Sequence, residues 1–230
     1  MSGLIRSRSR GRLARLLRWT AAALLAGYAL ALLSLAALRW FDPLTTAVHI
    51  QRRIEALVSG KQYRKEYTFV PSSRIAPSLQ HAVVTAEDAR FYQHHGIDWQ
   101  ELQNALDDEL DTGRLRGAST ITQQLVKNLL FTTHRNPLRK IAEWTLAPAA
   151  EPLIGKQRIL ELYLNVVEWG PGVYGAEAAA RHHYGVPASR LTREQAARLA
   201  AILPSPRRRK PQRMDRYSAA ILHRMAQTGW

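Results

Sequence analysis

Twenty consecutive residues, Trp19 to Leu38, carry no charge. An apolar run of about that length crosses the hydrocarbon core of a bilayer as a helix. Seven of the twenty are leucine, each favouring insertion by roughly 0.3–0.6 kcal/mol at mid-bilayer, and eight are alanine, which adds little. Trp19 and Trp40 stand at the two edges, where aromatic belts occur. The apolar region of a cleaved signal peptide is usually only ~7–15 residues. The pattern therefore predicts an uncleaved transmembrane anchor.

Beyond the anchor the pattern changes. Residues 39–75 read as a connector with a short helix around Thr45 to Leu57, interrupted by Pro71 and Ser72-Ser73. From about Pro77 onward apolar positions recur at helical spacing, and no segment shows sustained strand alternation. Pro77-Ser78 opens an apolar helical run through Ala89, and Asp98 lies three residues before Glu101 as an N-cap would. Asn136-Pro137 sets an N-cap before a proline at the first helical position. Gly170-Pro171-Gly172 reads as a turn, Ala176 to Tyr184 as a helix, and Thr192 with Gln195 as a capping box. The expected class is all-α. The expected division is a basic tail (1–18), the anchor (19–38), the connector (39–75) and a helical domain (76–230).

Composition narrows the partners. The 230 residues are 46% hydrophobic, enough for one core-forming domain, and the absence of cysteine excludes disulfides and thiolate chemistry. The net charge is +15. Arg6, Arg8, Arg10, Arg12, Arg15 and Arg18 precede the apolar run, leaving +9 on the remainder. Positive residues on that side predict a cytoplasmic N-terminus, with everything after Arg39 beyond the inner face. Arg207, Arg208, Arg209, Lys210, Arg213 and Arg216 form a second cluster. Both clusters suit anionic headgroups. The chain carries no RNP, zinc-finger or basic-zipper pattern, so nucleic acid is not an expected partner.

Four segments carry candidate chemistry. Glu87, Phe91 and His94 are spaced i, i+4, i+7 and would share one face of a helix. Spacing alone suits a surface glutamate beside a packed phenylalanine and a satisfied histidine equally well. Thr120, Gln124 and Lys127 repeat that spacing behind Gly117 and Ser119, a small, hydroxyl-rich helix opening of the kind that accepts anions. Arg116 adds charge there. Arg139 and Lys140 stand four and three residues before Glu143, a pattern common on exposed helices. Ile159, Leu160, Tyr163, Leu164 and Val167 read as core, with Asn165 and Glu168 structural.

Together these segments resemble the peptidoglycan glycosyltransferases of family 51. Glu87-Asp88 through Phe91 and His94 to Gly96 is similar to the family's first motif, and Gly117 through Asn128 to its second. Arg139-Lys140 with Glu143 is similar to the third, and Ile159 to Asn165 with the following glycines to the fourth and fifth. Five motifs in order, over roughly residues 75–205, are highly specific. The stretch Ala147 to Lys156, with Pro148 and Pro152, departs from the family pattern. The chain lacks the Ser-x-x-Lys and Lys-Thr-Gly patterns of a penicillin-binding domain, so no transpeptidase activity is expected.

The resemblance implies a lysozyme-like helical domain that transfers a growing polyprenyl-pyrophosphate-linked glycan onto the 4-hydroxyl of lipid II with inversion. It implies Glu87 as base and Glu143 as a second catalytic carboxylate. Substrate would be bound by Asp88, Phe91, His94, Arg116, Ser119, Thr120, Gln123, Gln124, Lys127, Asn128, Arg139 and Lys140. It leaves room for a divalent metal, Mg or Mn, with Glu143 as a ligand. The implied setting is the inner membrane, single-pass, with the catalytic domain periplasmic. Wall-synthesis or division proteins are further candidate partners. The competing expectations are a lytic, glycan-cleaving enzyme of the same fold and a non-catalytic scaffold.

Overall fold

The computed structural model describes residues 2–113, 117–134 and 136–230, with side chains from residue 12 onward except that of Thr112. The first helix, α1 (Ser2–Ala37), is continuous, and residues 12–37 are long and apolar enough to cross a membrane. Its far end does not stand free. Leu35 is fully buried, Ala31, Leu32 and Leu38 pack partly against the core, and the Tyr28 hydroxyl donates to the Thr145 carbonyl at 3.3 Å.

Helix α2 (Ala47–Val58) is capped by the Thr46 hydroxyl, close to the expected connector helix. The connector also supplies a strand. β1 (Glu66–Tyr67) pairs in parallel with β3 (Val173–Tyr174), and β2 (Glu168–Gly170) pairs antiparallel to β3, giving the order β1-β3-β2. Strands of two or three residues are too short to show a period, which is why alternation did not betray them. The turn joining β2 and β3 needs glycine. Gly172 has φ +80°, and a Cβ there would lie 2.4 Å from the Arg64 carbonyl oxygen.

The rest is helical, as the sequence pattern indicates. α3 (Pro77–Glu87) starts on Pro77, α4 (Trp99–Thr112) on the Asp98 cap, and α5 (Ile121–Leu130) on a Thr120–Gln123 capping box. α6 (Pro137–Ile154) follows the Asn136 cap and runs through both Pro148 and Pro152. α7 (Lys156–Val166), α8 (Ala176–Tyr184), α9 (Arg193–Ile202, with the Thr192–Gln195 capping box) and α10 (Asp215–Gln227) complete the domain. α3 packs on α9 and α10, α5 on α6 and α7, and α1 along α6. Ile159, Leu160, Leu162, Tyr163 and Leu164 of α7 lie buried in the core. Asn165 is structural as expected: its amide bonds the Val70 carbonyl and its Oδ1 accepts the Val70 N–H, both at 2.9 Å.

Candidate active site

α3 ends at Glu87, two residues short of the expected Ala89, because Asp88 leaves helical geometry to serve other partners. Its carboxylate accepts the Ile121 N–H at 2.9 Å, at the positive end of α5, and lies 2.9 Å from His94 Nε2. Residues 89–96 are therefore turns, and Glu87, Phe91 and His94 do not form a helical stripe. Phe91 points into the core with no exposure, and His94 is buried behind Asp88. Both sit beneath the site and support it.

Glycine closes this loop. Gly96 has φ +84°, and a Cβ would lie 2.6 Å from Ala147 C and Pro148 N in the backbone of α6. Its carbonyl accepts the Thr120 hydroxyl at 2.6 Å. The loop is thus locked between α5 and α6, and the proline-bearing stretch of α6 is the surface it rests on.

Glu87 faces a cleft of about 680 Å³, whose walls include Asp88, Gly117, Ser119, Thr120, Gln124 and Tyr217. Gln124 Nε2 donates to Glu87 Oε2 at 2.8 Å. The Gln124 amide is itself oriented by the Tyr163 hydroxyl, which donates to Oε1 at 2.9 Å. Among the described residues Glu87 Oε1 receives no hydrogen bond. Burial raises the Glu87 pKa above the ordinary 4.5; the Gln124 bond and the charges of Lys127 and Arg209 oppose the rise, and Asp88 adds to it. A carboxyl tuned upward is the state a general base requires.

A cationic cluster lies on α5 and α6. Glu143, 2% exposed, receives Arg139 Nη1 at 2.9 Å on one oxygen and Lys140 Nζ at 3.3 Å on the other. Lys140 Nζ also donates to Ser119 Oγ at 3.1 Å, so it reaches the rim of the cleft. Lys127 is half-buried between the two carboxylates. Burial lowers its pKa from 10.5, Arg139 and Lys140 lower it further, and Glu143 and Glu87 raise it. Three cations around one buried carboxylate leave an excess of positive charge, suited to a phosphate-bearing group.

Among the described residues the donor sets do not form a resident metal site. Glu143 is one carboxylate among cations. Asp88, His94 and Asp98 bring ligand atoms within 4.8 Å of one another. They are already committed: Asp88 to His94 and Ile121, and Asp98 to Arg90 at 3.3 Å and to the Glu101 N–H.

The structure brings Glu87, Ser119 and Gln124 together at the cleft and Lys127, Arg139, Lys140 and Glu143 into the adjoining cluster. Thr120 and Gln123 are buried and cap each other at the start of α5, and Asn128 is buried farther along that helix. Arg116 lies outside the described residues. Sequence reading placed Tyr163 in the core and assigned it no role at the site. Nothing local distinguishes a phenol that orients an active-site amide from one that only packs. Arg209 was grouped with a surface cluster, though its charge acts on Glu87.

A helical domain with a carboxylate of raised pKa in a cleft, a neighbouring cationic cluster and an N-terminal helix long and apolar enough to cross a membrane fits the class of lysozyme-like sugar-transferring enzymes. Residues 52–226 match the family described as Transglycosylase, and the chain belongs to that family. It is similar to the biosynthetic peptidoglycan transglycosylase of Laribacter hongkongensis (strain HLHK9), 46% identical over 77% of this chain and 78% of the relative. It is also similar to the proteins of that description from Ectopseudomonas mendocina (strain ymp), 43% identical over 98% of this chain and 92% of the relative, and from Pseudomonas putida (strain W619), 41% identical over 95% and 91%.

Proposed function

We propose that this chain polymerises the glycan strands of peptidoglycan from lipid-linked precursors. The observation that carries the reading is Glu87: a half-buried carboxylate with a raised pKa, held by Gln124 in a cleft beside the Lys127–Arg139–Lys140–Glu143 cluster.

The acceptor is lipid II, and the nucleophile is the 4-hydroxyl of its terminal sugar. The oxygen lone pair forms the new bond to the anomeric carbon of the donor glycan. The hydroxyl proton passes to Glu87 Oε1, while Gln124 holds Oε2. The bond from the anomeric carbon to the pyrophosphate oxygen breaks, and its electron pair leaves with the polyprenyl pyrophosphate. Attack opposite the leaving group turns an α-linked pyrophosphate into a β-glycosidic bond, the inverting geometry with a sugar hydroxyl in place of water.

Proton removal of this kind contributes about 10²–10⁴-fold. Lys127, Arg139 and Lys140 stabilise the charge that develops on the leaving group, and Glu143 fixes Arg139 and Lys140 in place. The arginine-rich N-terminus lies in the cytoplasm and the domain in the periplasm at the inner membrane, where lipid-linked substrates share its surface.

The test is polymerisation of purified lipid II by the full chain. Wild type should yield glycan polymer, and Glu87→Gln should lower the rate by at least ~10²-fold. A Glu87→Gln rate near wild type sinks the base assignment. Release of soluble fragments from cell-wall sacculi, without polymer from lipid II, sinks the polymerase reading.

A further inference from the structure

The segment between α9 and α10 and the first turn of α10 hold a concentration of charge of which the chemistry above uses only the long-range effect of Arg209 on Glu87. A cavity of about 360 Å³ opens there, lined by Arg209, Arg213, Met214, Arg216 and Tyr217. Tyr217 also lines the catalytic cleft, so the two spaces share a wall. Arg209 is held in place: its Nη1 donates to the Ala201 carbonyl at 2.9 Å, and its guanidinium lies 5.6 Å over the Tyr217 ring. The nearest carboxylate in sequence, Asp215, is engaged by Arg198. Among the described residues no carboxylate pairs with Arg209, Arg213 or Arg216.

Planar guanidinium forks recognise carboxylates and phosphates in bidentate fashion. Position decides between them. The phosphates of a polyprenyl-linked substrate stay at the bilayer interface, beside apolar side chains. Among the described residues no large hydrophobic of α9, α10 or the segment between them is exposed, and α10 packs on α9 and α3. The apolar side chains at the cavity are Met214 and Tyr217, both half-buried, and this part of the surface lacks the exposed apolar face of an element that lies on lipid. Through Tyr217 it adjoins the cleft that holds the sugars in the polymerase reading.

Resting on the polymerase reading above, we propose that Arg209, Arg213 and Arg216 form a subsite for the carboxylates of the peptide carried by the muramyl sugar of lipid II. The subsite positions the glycan in the cleft through its peptide branch, and its arginines take no part in bond making.

The experiment compares two forms of lipid II, one with free peptide carboxylates and one with carboxamides in their place. The full chain is assayed as wild type, as Arg213→Gln and as Arg213→Gln/Arg216→Gln. Wild type should show a KM about fivefold lower for the carboxylate form, the size expected from two partly exposed charge pairs. In the double variant the two KM values should converge, with the single variant between. A wild type that does not distinguish the substrates overturns the proposal, as does a KM ratio unchanged by the substitutions. Parallel assays in anionic and zwitterionic vesicles cover the other source of anions. A KM rise equal for both substrates and confined to anionic vesicles would assign the arginines to lipid headgroups and overturn the peptide subsite. Absence of polymer from either substrate would sink the polymerase reading and this proposal with it. Polymer with an unchanged ratio sinks only the subsite.

Discussion

At the scale of single residues, the site rests on opposed pKa shifts. In the proposed mechanism Glu87 must be deprotonated to accept a proton, and its pKa is raised from 4.5 by burial. Lys127 must be protonated to stabilise a leaving phosphate, and its pKa is lowered from 10.5 by burial. The profile of kcat/KM against pH should therefore be a bell narrower than free side chains would give, with its acid limb above 4.5 and its alkaline limb below 10.5. A pH-rate series checks both limbs.

The raised Glu87 pKa also has a sign for stability. The folded state prefers the protonated form, so its contribution is present at low pH and is lost as pH rises through the folded pKa. Glu87→Gln carries no such loss and should melt at or above the wild-type temperature at neutral pH while failing to polymerise. A lower melting temperature would contradict the burial argument. Tyr163→Phe tests the orienting bond. Its loss frees the Gln124 amide that holds Glu87 as carboxylate, so the acid limb should move to higher pH and kcat should fall several-fold, about the cost of one net hydrogen bond of ~1 kcal/mol, with KM little changed.

At the scale of elements, α6 is the organising piece. It carries Arg139, Lys140 and Glu143 on its first turns, receives Gly96 on its proline-bearing middle, and supports α1. Gly96→Ala forces a Cβ to 2.6 Å from α6 backbone at a positive φ. The first turns of α6 and the Glu87 loop should then separate, with a loss of about 1–3 kcal/mol in a denaturant melt and of most activity.

The anchor is joined to the domain by more than the chain. Arg158 of α7 donates from Nε to the Leu38 carbonyl at 2.9 Å and from Nη2 to the Phe41 carbonyl at 3.1 Å, and it pairs with Asp42 at 2.6 Å. The end of α1 is therefore clamped to the domain, which under the proposed anchoring would fix the orientation of the cleft to the bilayer. Arg158→Ala should cost several-fold more activity in vesicles than in detergent, and spin labels on α1 and α7 should report a broader distance distribution. Equal losses in both media would assign Arg158 to fold stability alone.

At the scale of the whole molecule, one side is apolar. Trp99, Leu106, Leu110, Leu138, Ile141 and Trp144 are exposed, and Trp99 packs edge-on against Trp144 at 6.0 Å. Part of this face belongs to α6, the helix that α1 lies along. With α1 crossing a membrane as proposed, such a surface would seat the domain in the interface. Brominated lipids should quench the tryptophan fluorescence, and Trp99→Phe/Trp144→Phe should remove a large part of that quenching. Unchanged quenching in the double variant would place this face in water.

Local chemistry determined much of this from the sequence alone. The apolar N-terminal helix, the caps at Asp98, Thr120, Asn136 and Thr192, and the i, i+3 and i, i+4 grouping of Lys140 and Arg139 with Glu143 depend on neighbours within a few residues, and all were legible there. Glu87 was singled out there as well, and the structure places it in a cleft. Only tertiary structure decided what surrounds it. The end of α3 at Glu87 depends on Asp88 accepting a hydrogen bond from Ile121, 33 residues away. The orientation of Gln124 depends on Tyr163, 39 residues away. The small sheet depends on β1 finding β3 across more than a hundred residues. Periodicity reports the faces of one element. A hydrogen bond between elements leaves no period, so burial, pKa and the reach of Arg209 to Glu87 follow from packing alone.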